Sequence, residues 1–133
     1  MRACVRLVAH LWPLPYTLLG IAIGLILGGR FRMVDGVVEI HGTVVARLLS
    51  NLAMPALAIT FGHVVLGQTA NALEITRAHE RVHVRQYERW GLLFIPAYLS
   101  ASAYLFLRGR DAYRDNPFEV EAYAVDQIAD RFK

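Results

Sequence analysis

The chain has 133 residues, 56% of them hydrophobic and 19% charged, with a mean hydropathy of +0.37. An average soluble domain is about 45–50% apolar and about 25% charged, so this composition excludes a disordered tail, a low-complexity linker or an acidic solvating protein and points toward a membrane. The formal charge is +3, and the basic residues, arginines but for one lysine, flank apolar runs, which fits anionic lipid headgroups better than nucleic acid.

The length is that of one domain. Its single cysteine, Cys4, excludes an internal disulfide and a cysteine-based metal cage. The first uncharged run spans 11–29, after Arg2 and Arg6. Its 19 residues come close to the roughly 20 that a spanning helix needs. Residues 1–30 are therefore expected to form an uncleaved hydrophobic anchor. A secretory signal peptide is the alternative, although no small-x-small cleavage site follows the run. Asp35-Gly36, between two short β-rich stretches, predicts a hairpin at 31–41. Thr43 is a candidate N-cap for a helix carrying Val44, Val45, Leu48, Leu49 and Leu52, ended by Met54-Pro55. Residues 58–66 read as one extended segment, with a break at Gly62 the alternative. A charged helix is predicted over 72–90, closed by Gly91. A third apolar run covers 90–107, with a helix starting near Pro96 that is about 20 Å long and short for a bilayer. After a polar turn, a last helix starts at Pro117, capped by Asn116 or Asp115. The reading is a mainly α fold with a short β-hairpin, an α+β domain over 31–133 attached to the anchor.

The chemistry centres on His79-Glu80-Arg81-Val82-His83. Histidines at i and i+4 share one helix face, where two imidazoles can bind one tetrahedral zinc. The adjacent glutamate can reach a metal-bound water as general base. On the helix wheel His79, His83, Gln86 and Trp90 lie to one side, while Arg77, Arg81, Arg85 and Arg89 form a stripe on the other. That stripe is either a solvated face, with Glu88 pairing to Arg85 or Arg89, or a contact for lipid headgroups or a partner. A third ligand is needed. His10 and His41 are far upstream. His63 lies in the strand before the motif as a ligand, an oxyanion contact or a structural residue. Glu119 and Glu121 lie on the last helix, which an antiparallel excursion returns to the level of the histidines. Glu119 is also at N3 behind Asn116, where a capping box alone explains it. Glu121 is the competing ligand.

HExxH followed by Glu119-Val120-Glu121-Ala122 on a later helix resembles the gluzincin class of zinc metallopeptidases. The nearest branch is the membrane-associated one that includes the CAAX prenyl proteases, and the resemblance covers about residues 58–125. It implies a zincin-like helical domain with His79, His83 and Glu119 as Zn²⁺ ligands and Glu80 as general base. It also implies an edge strand near Phe61–Leu66 that pairs with substrate. Tyr123 departs from the aspartate of the family's E-x-x-A-D pattern, so the support for the histidine falls to Glu121 or Asp126. Gln86, His63 and Tyr123 are candidates for ligand support or oxyanion contact.

Two functions follow as expectations. One is a zinc metallopeptidase of a bacterial-type inner membrane, acting on a peptide or protein substrate and contacting lipid but no nucleic acid. The other is a non-catalytic membrane protein with a structural or vestigial metal site and an arginine-rich docking helix. A zinc site also requires that the 90–107 run not cross the bilayer between the motif and Glu119, unless the site lies at membrane depth.

Overall fold

The computed structural model describes residues 2–131. In chain order it contains α1 (Arg2–Leu11), α2 (Leu14–Ile26), β1 (Arg30–Val34), β2 (Val37–His41), α3 (Thr43–Ser50), β3 (Ala58–Phe61), β4 (Val64–Gly67), α4 (Ala70–Trp90), a 3-10 turn (Gly91–Leu93), α5 (Phe94–Leu107) and α6 (Pro117–Arg131). The α+β reading holds, but the β part is larger than one hairpin. Four strands form one sheet in the order β1-β2-β4-β3.

Two tight turns create the hairpins of this sheet. Asp35 and Gly36 both have positive φ, 49° and 79°, as a two-residue turn of matching twist requires. Gly62, at φ +60°, reverses the chain between β3 and β4, so the segment expected to be one extended stretch is two antiparallel strands. The hairpins join through a parallel pairing of β2 with β4, from Val38↔Val64 to His41↔Gly67. α3 lies within the connection. It ends at Ser50, well before Pro55, because the Asn51 side chain takes the Arg47 carbonyl at 2.7 Å. Gly42, and not Thr43, occupies its N-cap.

Strand alternation sorts the side chains to two faces. Ile40, Val64 and Leu66 pack with Val45 and Leu49 of α3, with Ile21 and Ile23 of α2, and with Leu27 just after it. Val37 and Val65 point the other way, onto Leu73 and Val84 of α4. The result is a layered arrangement of α2 and α3, then the sheet, then α4. α2 thus shares a core with the sheet and α3. The expected single anchor helix is broken at Trp12-Pro13, and α1 and α2 meet at 49°. Proline cannot donate a backbone hydrogen bond and disfavours helix at the residue before it.

On the second face one charge points inward. Glu39 is 3% exposed, and its carboxylate accepts from Arg77 Nε and Nη2 at 3.0 and 2.9 Å and from Arg81 Nη2 at 3.1 Å. Half of the arginine stripe is therefore committed to the fold. Arg89 pairs with Glu121, while Glu88 pairs with His63 and with neither Arg85 nor Arg89.

α4 begins at the Thr69 cap, whose hydroxyl accepts from Ala72 N, and stops at Gly91, φ +56°. α5 begins at Phe94, so Pro96 lies inside its first turn, where its missing N–H costs no helix bond. α6 starts at Pro117, as read from the sequence, with Asn116 Oδ1 accepting from Phe118 N at 3.0 Å.

α2 approaches the sheet through a glycine. A Cβ on Gly20 would lie 2.8 Å from Val64 Cβ. Helix propensity alone favours alanine over glycine by about 1 kcal/mol. Gly20→Ala is nevertheless expected to lower stability by about 1–3 kcal/mol through overpacking, read from unfolding of the detergent-solubilised protein. An unchanged or raised stability would show that α2 does not press on β4.

Candidate metal centre

His79 and His83 lie one turn apart on the buried face of α4, with ring centroids 5.1 Å apart. Both aim Nε2 at one carboxylate. Glu119 Oε2 lies 3.1 Å from His79 Nε2, and Oε1 lies 3.3 Å from His83 Nε2. One donor atom from each of the three residues can be chosen so that all lie within 4.8 Å of one another. Glu119 is 5% exposed, and its side chain turns to the histidines instead of back to its helix terminus. The capping-box reading therefore fails, and the cap is supplied by Asn116. Glu121 is exposed and paired with Arg89, so it does not compete for this position.

The far side of each imidazole is held by an acceptor. His79 Nδ1 donates to Asp126 Oδ2 at 2.8 Å. His83 Nδ1 donates to Gln86 Oε1 at 2.8 Å, and Gln86 is fixed in that orientation because its Nε2 donates to the Phe118 carbonyl at 3.0 Å. An acceptor on Nδ1 holds the tautomer whose Nε2 lone pair is free for a metal, an arrangement typical of histidine ligands. Of Glu121 and Asp126, it is Asp126 that meets a histidine of the motif. Tyr123 packs its ring edge-on to His79 at 4.6 Å and spends its hydroxyl on Tyr113.

The electrostatics favour a cation among these groups. Burial opposes charge on His79, but hydrogen bonds to Glu119 and Asp126 and the nearby Glu80 outweigh it and push its pKa up to about 9. His83 is likewise raised, because Glu119 and Glu80 outweigh its burial. Burial would raise Glu119, yet hydrogen bonds from the two histidines and Tyr98 bring it down to about 2. Two imidazole nitrogens and a carboxylate are a donor set suited to zinc. An ion bound there would take the place of the protons that otherwise compensate Glu119.

Two further residues come to the site from elements that the sequence did not connect with it. Thr60 of β3 donates its hydroxyl to Glu80 Oε2 at 2.7 Å, and Tyr98 of α5 donates to Glu119 Oε1 at 2.8 Å. His83 and Tyr98 would be about 22 Å apart along one straight helix, yet both reach the same carboxylate. The chain therefore bends at Gly91–Leu93, where Gly91 has φ +56°. Taken as one run, Ala70–Leu107 is long and apolar enough to cross a membrane, as is the bent pair α1–α2.

Glu80 itself is 6% exposed. Burial raises its pKa, against the lowering effect of His83 and Thr60. The site opens on a cavity of about 350 Å³, lined otherwise by Thr60, Tyr87, Tyr98 and Tyr113 and by apolar side chains that include Met54, Ile59, Phe61, Phe94 and Leu99. His63 is not among the lining residues. Its Nε2 lies 2.9 Å from Glu88 and its ring stacks on His10, so a ligand or oxyanion role at this centre is overturned. The β3–β4 turn sends it away from the motif face. No protein-family model, no curated protein and no solved structure matches the chain.

Zinc must displace protons from both imidazoles, so its affinity is expected to rise with pH from 6 to 8, measured with a zinc-buffering chelator. Without metal the sign is opposite. The stabilisation from raised His79 is full below 6.5 and is lost as pH climbs through about 9, while that from Glu119 is full above 4.5 and is lost as pH falls through about 2. The unfolding temperature of the chelator-treated protein should therefore fall between pH 6.5 and 9. Asp126→Asn is expected to weaken zinc by about 10–100-fold, and an unchanged affinity would remove Asp126 from the site.

Proposed function

We propose that the protein is a zinc-dependent peptidase that works at a membrane surface. The observation that carries this reading is the convergence of His79 Nε2, His83 Nε2 and Glu119 beside the buried Glu80 carboxylate, all four residues lining one apolar cavity. The resemblance of the His79–His83 and Glu119–Ala122 segments to gluzincins agrees with it.

His79, His83 and Glu119 would hold the ion. Zinc, when bound, supplies a Lewis acid and a water of lowered pKa at its open position. The chain's own residues do the rest. Glu80 accepts a proton from the attacking water and returns it to the leaving amine, which makes it the general base and then the general acid. Burial suits Glu80 to this by raising its proton affinity toward the working pH. The Thr60 hydroxyl holds one oxygen of that carboxylate and leaves the other to face the water. Tyr98 holds Glu119 in place, and Gln86 and Asp126 keep the imidazole edges turned inward. The cavity wall favours apolar side chains next to the scissile bond.

The membrane part of the proposal is supported by apolar side chains that the fold leaves outside. Leu18, Leu19, Leu25 and Ile26 of α2 and Leu99, Phe106 and Leu107 of α5 are exposed. Exposed apolar surface of this extent marks an interaction site on a soluble background, and lipid satisfies it. On the alternative reading of a structural metal site, a buried carboxylate beside the ligands has no task. Headgroup contact by the arginine stripe would fall mainly to Arg85, since Arg77 and Arg81 grip Glu39 and Arg89 holds Glu121.

The deciding experiment uses zinc-loaded protein in lipid nanodiscs and a library of peptides with apolar side chains around the cleaved bond. Glu80→Gln is expected to keep its zinc and lose about 10²–10⁴-fold in kcat/KM. Cleavage that survives the substitution, or that is absent from the zinc-loaded wild type, would leave the structural reading in its place.

A further inference from the structure

A second group of metal-binding side chains lies apart from the cavity, where α1, the β3–β4 turn and the last turns of α4 meet. We propose that His10, His63 and Glu88 form a second divalent-cation site, of zinc-like preference, that fastens the α1–α2 elbow to the rest of the fold. One donor atom from each of these residues can be chosen so that all three lie within 4.8 Å of one another. His63 Nε2 and Glu88 Oε1 are already 2.9 Å apart, and the His63 side chain is 8% exposed. The exposed His10 ring stacks on that of His63, with centroids 4.3 Å apart and planes 6° from parallel, so it is at hand but must tilt for both rings to face one ion.

The hydrogen bonding assigns the donor atoms. His10 Nδ1 lies 2.8 Å from the Arg6 carbonyl oxygen. A carbonyl oxygen only accepts, so Nδ1 carries the proton and Nε2 keeps its lone pair. This is the same orientation by a backbone acceptor that metal-ligating histidines use. Two imidazoles and one carboxylate leave one tetrahedral position for water. The proton that bridges His63 and Glu88 is the group an ion would replace, as at the first centre.

The surroundings are built to hold the three residues together. Trp12 Nε1 donates to the Glu88 carbonyl at 2.7 Å, and the Trp12 ring fills the space where a side chain on Gly91 would lie. His63 N donates to Thr17 Oγ1 at 3.0 Å, and Tyr16 Oη donates to the Leu92 carbonyl at 2.7 Å. The α1–α2 elbow and the start of α2 are thus tied to the end of α4 and to the β3–β4 turn without the ion. An ion there would act as a cross-link between α1 and α4, and none of its ligands lines the cavity.

This site does not rest on the peptidase reading, and the test separates the two. Zinc per chain is measured by mass spectrometry on full-length protein in detergent, after loading and removal of loosely held metal. His10 is exposed, so His10→Ala should leave the fold intact, and its far-ultraviolet spectrum checks that. The expected counts are two zinc ions in the wild type, one in His83→Ala, one in His10→Ala and none in the double variant. His63→Gln should match His10→Ala. The proposal is overturned if His10→Ala holds as much zinc as the wild type, or if His83→Ala holds none. A wild type with one ion that survives His83→Ala and disappears in His10→Ala would keep this site and remove the other.

Discussion

The carboxylate of Glu119 is the point on which three helices depend. It is buried and ionised, and a lone charge in such a position costs several kcal/mol unless partners surround it. The partners come from α4 as His79 and His83 and from α5 as Tyr98, while Glu119 itself belongs to α6. Satisfying one oxygen pair thus bears on where α6 docks, how the chain bends after Trp90, and which side of α4 faces inward. Asp126 and Gln86 extend the same network outward, and Gln86 ties α4 to the backbone of α6 at Phe118.

What the sequence made legible was local. The i, i+4 histidines, the Asp35-Gly36 turn, the Gly91 stop and the Asn116-Pro117 start all depend on neighbours within one or two turns of chain, and each is found where periodicity and turn chemistry put it. Helix order returns the last helix to the level of the histidines but leaves Glu119 and Glu121 both open, and the gluzincin resemblance is what preferred Glu119. What stayed hidden was long-range. Nothing near Glu39 announces that it is clamped by Arg77 and Arg81 of the helix packed on its face. Without that partner the four arginines read as one free stripe. The parallel β2–β4 ladder has no sequence signature of its own, and the turn at Gly62 looked like a break in one strand. Thr60 and Tyr98 could have drawn notice only as lone hydroxyls in apolar segments, which buried hydroxyls justify by finding a partner.

The same α5 helix serves two environments. Phe94 and Tyr98 turn toward the cavity and Glu119, while Tyr104, Phe106 and Leu107 keep large side chains outside. α2 differs in kind, for it presses glycines against the sheet and turns leucines away from it.

The sheet also carries an order of assembly. β1 with β2, and β3 with β4, are each closed by two residues, and short hairpins of this sort form within about 1–10 μs. The ladder that joins them, from Val38↔Val64 onward, must wait for α3 and the following loop to bring distant residues together, and such non-local closure is slow. The two hairpins are therefore early modules and the β2–β4 seam is the late one. Glu39 and Thr60 lie on opposite sides of that seam, one gripping the arginines of α4 and the other holding Glu80. Until the seam closes, α4 has only half its footing, and the carboxylate of Glu80 acquires its surroundings only at the end of folding.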